Sequence, residues 1–94
     1  MDNDNLFKMI LKDIVSNIVS GVISTEEVKE RVQNELESRD IWESSDFLIT
    51  DCYYTLKHIT EENISLDEWK YFEECFSGSR QYNLEEKRNF ILAT

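Results

Sequence analysis

The sequence contains no proline and only two glycines in 94 residues. Proline stops helices and glycine supplies left-handed turns, so this chain has few places to break. Helices joined by short connections are the expected consequence. Cysteine is scarce too: Cys52 and Cys75 are the only two. They do not make a disulfide framework. Both lie in apolar-rich stretches and are expected to be buried and reduced. Basic residues are outnumbered, ten Lys and Arg against twenty Asp and Glu, for a formal charge of −10. Repulsion on that scale keeps a chain soluble and disfavours nucleic acid or an anionic membrane as direct partners. It suits a basic protein partner, and the chain itself is expected as a monomer or weak dimer. A long hydrophobic run is missing as well. The apolar stretch after Leu6 is broken by Lys8, Lys12 and Asp13, and Met1 is followed by Asp2 and Asp4. That pattern is neither a transmembrane span nor a signal peptide, and a cytoplasmic location is expected.

The usual carriers of chemistry are thin. His58 is the one histidine, with no Ser or Cys at a recognisable motif spacing. No Gly-rich phosphate loop, C-x-x-C or H-E-x-x-H occurs. His58 and Glu62 lie four apart, but two ligands do not make a metal site. Asp2-Asn3-Asp4-Asn5 lacks the glycine and later ligands of a calcium loop. Five carboxylate pairs occur, at Glu26-Glu27, Glu61-Glu62, Asp67-Glu68, Glu73-Glu74 and Glu85-Glu86. Three of them sit where first helical turns are expected, serving caps and the helix dipole. Asn63-Ile64-Ser65 matches a glycosylation acceptor and reads here as a turn and a cap. The expectation is a protein that is not an enzyme and takes no cofactor or metal.

What the chain does have is helix grammar. The heaviest apolar load falls on residues 64–76. Ser65 and Glu68 have capping-box spacing, Ile64 and Trp69 staple spacing, and Gly78 can take the left-handed stop. Leu66, Trp69, Phe72 and Phe76 share one face. The first helix is expected over about 3–20, with Leu6, Phe7, Ile10, Leu11, Ile14, Val15, Ile18 and Val19 as a wide stripe and Gly21 at its end. A second helix starts with the Ser24–Glu27 box and the Ile23–Val28 staple and runs to about Ser38. It carries a narrow stripe of Val28, Val32 and Leu36. Residues 39–44 read as a loop whose tryptophan, Trp42, is expected to dock. The third helix is expected over about 45–59, with Leu48, Cys52, Thr55, Leu56 and Ile59 facing inward. Phe47, Asp51, Tyr54 and His58 form the neighbouring stripe. Asn83 and Glu86 cap a last short helix carrying Leu84, Arg88 and Ile91. The predicted fold class is all-α, a small four- to five-helix bundle in a single domain spanning residues 1–94. Its core is expected to contain Ile10, Ile14, Leu48, Leu56, Trp69, Phe72 and Phe76. The likeness between residues 23–29 and 64–70 is confined to capping positions and reflects one way of starting a helix.

Two acidic zones stand out. Residues 35–54 hold six acids against Arg39, and residues 61–74 hold six against Lys70. Trp42, Phe47, Tyr53, Tyr54 and Tyr71 are interleaved with them. Acid for steering with aromatic anchors is the composition of a face that binds a basic protein. A solvated acidic surface with its aromatics turned inward has the same composition. Tyr53 and Tyr54 point about 100° apart on a helix, so both can hardly lie in a core. The candidate partner-binding residues are Asp46, Asp51, Tyr53, Tyr54, Glu61 and Glu62.

The apolar first helix, Ile23-Ser24-Thr25-Glu26-Glu27-Val28 opening the second, the apolar helix at 46–59, the acidic turn at 60–63 and the closing Tyr82-Asn83-Leu84-Glu85-Glu86 together resemble the colicin D-type immunity proteins. These are bacterial self-protective inhibitors of toxin nucleases. Asp51-Cys52-Tyr53-Tyr54 separately resembles the tyrosine pair of colicin DNase immunity proteins, though the flanking residues differ. The resemblance implies inhibition without catalysis. The chain would cover a nuclease toxin's basic groove, with carboxylates where phosphates would sit. Two other readings stay open: a nucleic-acid mimic that blocks a host defence nuclease, and a non-catalytic regulatory adaptor.

Overall fold

The computed structural model describes residues 3–92, and the side chains of residues 3–91. It contains five α-helices and no strand among those residues. The expected all-α bundle is what forms. Helix α1 (Asp4–Ser20) ends at Gly21, whose φ of 75° is the left-handed conformation that a side chain would strain. Phe7, Leu11, Ile14 and Val15 are its buried face. Helix α2 (Thr25–Arg31) starts with the full capping box. Ser24 Oγ accepts from Glu27 N at 3.1 Å and Glu27 Oε1 accepts from Ser24 N at 3.3 Å.

The expected continuation to Ser38 keeps its helical course but changes its winding. Val32–Leu36 is a π turn and Glu37–Arg39 a 3₁₀ turn. Residues four apart drift about 40° around an α-helix, and the wider π turn offsets that drift. Val28, Val32 and Leu36 all stay buried as a result. Arg31 clamps the segment: its guanidinium donates to Glu35 at 2.6 and 3.1 Å and to Asp13 of α1 at 2.6 Å. The hydrogen bond from Arg31, ahead of its charge, holds the Glu35 carboxyl below the usual range.

Asp40 then takes a left-handed backbone, φ 56°, and a 3₁₀ turn covers Ile41–Glu43. Here the expected docking residue changes. Ile41 is fully buried and Trp42 is 48% exposed. With three residues per 3₁₀ turn, neighbours diverge by about 120°, and only one of the pair can face the core.

Helix α3 (Phe47–Lys57) is shorter at both ends than the expected 45–59. Asp46 is its cap, accepting from Leu48 N at 2.9 Å. Its buried face is Leu48, Ile49, Cys52, Tyr53 and Leu56. Helix α4 (Leu66–Ser77) lies along α1 in the most extensive helix pairing of the bundle, and Gly78 stops it at φ 85°. Ser65 caps it by accepting from Glu68 N at 3.3 Å. The Glu68 carboxylate turns away to Lys87, at 3.2 Å, so half of that capping box is made. Trp69 and Phe72 are buried as expected and Phe76 is partly so, while Leu66, in the first turn, is 49% exposed. Tyr71 is buried instead. Its hydroxyl donates to Asn83 O and accepts from Asn83 N, each at 3.0 Å, which satisfies the phenol and ties α4 to the chain entering the last helix.

That helix, α5 (Leu84–Leu92), is capped by Asn83 Oδ1 accepting from Glu86 N at 3.0 Å. Its inner face differs from the apolar pattern. Leu84 and Arg88 are exposed, and Lys87 is buried with Phe90 and Ile91 partly covered. The buried residues form one core. Ile14, Leu48, Leu56, Trp69 and Phe72 are in it, and Ile10 and Phe76 are packed at its margin.

Candidate partner-binding groove

The outer stripe of α3 is the place to begin. Phe47, Thr50, Asp51 and Tyr54 recur at three- and four-residue spacing, so they share a face. The core takes the opposite face, and this one is left to water. The α4–α5 connection passes beside it and sets Tyr82, Asn83 and Leu84 opposite. Together they line an open groove of about 630 Å³. Seven large apolar residues are more than a third exposed among the described residues, and three of them, Phe47 at 76%, Tyr54 at 49% and Leu84 at 55%, line this groove. Single exposed apolar residues are ordinary, and here three of them share one concavity. Glu85 and Glu86, which follow Leu84 in the chain, are exposed.

Asp51 lies in the floor. Its Oδ2 accepts from the Tyr82 hydroxyl and from Lys87 Nζ, each at 2.7 Å. Lys87 also reaches Glu68 at 3.2 Å and lies 4.8 Å from the centroid of the Phe72 ring. Burial works to lower the Lys87 pKa, but the hydrogen bond to Asp51 and the two carboxylate charges outweigh it and the net shift is upward. Burial, then the bond to Asp51, pushes the Tyr82 phenol far up. The ammonium therefore stays charged and Tyr82 stays a donor at neutral pH.

The six candidate residues do not form one patch. Asp51 and Tyr54 share the groove. Asp46 is beside Phe47 at the start of α3, where it caps the helix and pairs with Lys8 at 3.2 Å. Tyr53 is 1% exposed. Its hydroxyl donates to Glu37 Oε2 at 2.7 Å, and its ring lies 5.1 Å from that of Tyr54. It is a core residue with a satisfied phenol and offers no surface to a partner in this conformation. Glu61 and Glu62 follow the other end of α3, whose 11 residues span roughly 16 Å. A smaller cleft there, about 260 Å³, is lined by residues including Lys29, Glu37, Lys57, His58 and Glu61. His58 Nδ1 is 2.7 Å from Glu61 Oε2. That hydrogen bond, then the His58 charge, lowers the Glu61 pKa, and Lys29 and Lys57 add to it. Glu61 therefore stays ionised and hydrogen-bonded to His58, while Glu62 is exposed with no ion pair among the described residues.

Sequence reasoning named Phe47, Asp51 and Tyr54 as a stripe but missed Tyr82, Asn83 and Leu84 as the opposite wall. By spacing, the apolar Leu84 belongs to a helix face with Arg88 and Ile91, and the buried Lys87 that inverts that face carries no apolar signal. Among the described residues no group of three or more His, Cys, Asp or Glu is placed to hold a metal, and no helix is long and apolar enough to cross a membrane. No family model matches the chain, and no curated protein or solved structure matches it.

Proposed function

We propose that this chain is an immunity-type inhibitor that binds a basic bacterial nuclease toxin and covers its nucleic-acid groove. The observation that carries the reading is the groove itself. Three exposed apolar side chains converge on it in a chain of charge −10. Acid on such a scale attracts a basic surface from a distance and speeds encounter. Exposed aromatics contribute once water is expelled, and so slow release. The resemblance to colicin D-type immunity proteins points the same way. The mechanism needs no catalysis by this chain: carboxylates occupy positions that nucleic-acid phosphates would take, and substrate is excluded.

The test is a titration of the purified chain into the cleavage reaction of a basic nuclease domain encoded beside it. Cleavage should fall to background at about one equivalent if binding is tight. Unchanged cleavage at saturating concentration rejects the inhibitor reading for that nuclease.

A further inference from the structure

We infer that the groove between α3 and the start of α5 is a recognition pocket for one arginine side chain of a basic protein partner. The inference deepens the inhibitor reading and takes the partner's basic character from it. The chemistry of walls and floor supplies the rest.

The walls are aromatic and aliphatic: Phe47, Tyr54, Tyr82 and Leu84. A guanidinium is planar and weakly hydrated, so it stacks on ring faces where a lysine ammonium holds its water. The methylene stem of arginine suits the same apolar walls. The volume, about 630 Å³, lies within the rough 300–1,000 Å³ range of pockets for small ligands.

The floor is charged. Both hydrogen bonds to Asp51 fall on Oδ2, and Oδ1 accepts none among the described residues. The Asp51 side chain is 24% exposed and lines the groove, and Oδ1 is the oxygen left to take a further donor. Charge counting agrees. Asp51 and Glu68 bring two negative charges to the network and Lys87 one positive, which leaves one negative charge uncompensated. Among the described residues no Lys or Arg lines the groove. Lys8 and Arg80 line a separate depression that shares Phe47 and Tyr82. They are paired there with Asp46 and Glu74. A cation that stacks between the rings and donates to Asp51 Oδ1 completes the arrangement, and arginine does both.

The test uses N-acetyl-arginine-N-methylamide as probe, added to the ¹⁵N-labelled full chain and followed by amide shifts. The lysine and citrulline counterparts serve as controls at matched ionic strength. Saturable shifts should cluster at residues 47–54 and 82–84. The arginine probe should bind at least about threefold more tightly than the lysine probe, the scale of an exposed cation–π contact. Citrulline, which lacks the charge, should give no saturable response. Phe47→Ala should weaken arginine binding by about threefold or more, and Asp51→Asn should abolish it. Asp51→Asn also removes a partner of Lys87, so if that variant fails to fold, Phe47→Ala decides. Equal responses to arginine and lysine, or shifts spread over the acidic surface and indifferent to Phe47→Ala, would overturn the inference. No nuclease is involved. Arginine binding by a chain that inhibits no basic nuclease sinks the inhibitor reading alone, and inhibition without an arginine response in the groove sinks the pocket alone.

Discussion

Tyr53 and Tyr54 are neighbours in sequence with opposite surroundings. One is 1% exposed and hydrogen-bonded to Glu37, and the other is 49% exposed on the groove. Helical geometry required that they diverge, but the choice between them depended on where Glu37 falls after the π turn, a tertiary fact. Tyr53→Ala is expected to destabilise the fold by roughly 3–5 kcal/mol, the range for losing a large buried aromatic. Tyr54→Ala should change stability by less than about 0.5 kcal/mol, as surface substitutions do. Urea unfolding of the two variants checks this, and similar midpoints would contradict the assignment. The cysteines belong to the same scale. Burial pushes the Cys52 thiol up strongly and raises Cys75 too, so neither supplies the reactive thiolate. Both should resist a thiol reagent at neutral pH in the native chain and react together on unfolding. Rapid labelling of either before unfolding would show that the sites open.

Among the helices, the caps were the most legible features. Ser24, Ser65, Asn83 and the stops at Gly21 and Gly78 act locally, so short windows reveal them. What packs against what was less legible, because it depends on partners distant in sequence. Leu66 shares the apolar face of its helix by spacing and Leu84 belongs to the last helix's apolar set, but both fall in first turns and are exposed. Lys87, which carries no apolar signal, is buried and held by Asp51 and Glu68. Trp69, one turn into α4, is 4% exposed. Trp69→Ala should cost roughly 3–5 kcal/mol. A change under about 1 kcal/mol would show that α4 is not anchored there. Helix α5 depends on Lys87. Lys87→Met leaves Asp51 and Glu68 with no cation between them. On the scale of broken buried pairs it should cost roughly 3 kcal/mol and raise amide hydrogen exchange across residues 84–91 first. The pH dependence has a definite sign. The folded pKa of Lys87 is raised, so its contribution is complete below the ordinary lysine value of about 10.4 and is lost as pH climbs through the folded value. Melting of the wild type should therefore hold through neutral pH and drop at strongly alkaline pH. Lys87→Met should remove the part of that drop due to Lys87, and an unchanged alkaline limb would contradict the role given to this residue.

At the scale of the whole molecule, the proposed binding divides between charge and shape. The charge of −10 was legible at once, since it is a count. The groove was half legible: α3 gives the Phe47–Asp51–Tyr54 wall by its period, and only the return of the chain after Gly78 supplies the other. The central claim is that acid steers a basic partner and the groove then holds it. Association and dissociation rates with the basic nuclease domain test it most directly. They should be measured for wild type, Glu62→Lys and Tyr54→Ala at about 50 and 300 mM salt, where screening lengths differ by more than twofold. The account predicts that Glu62→Lys mainly slows association and flattens its salt dependence. It predicts that Tyr54→Ala mainly speeds dissociation, by about thirtyfold if the ring is an anchor of about 2 kcal/mol. Wild-type association indifferent to salt, or dissociation unchanged in Tyr54→Ala, would contradict it.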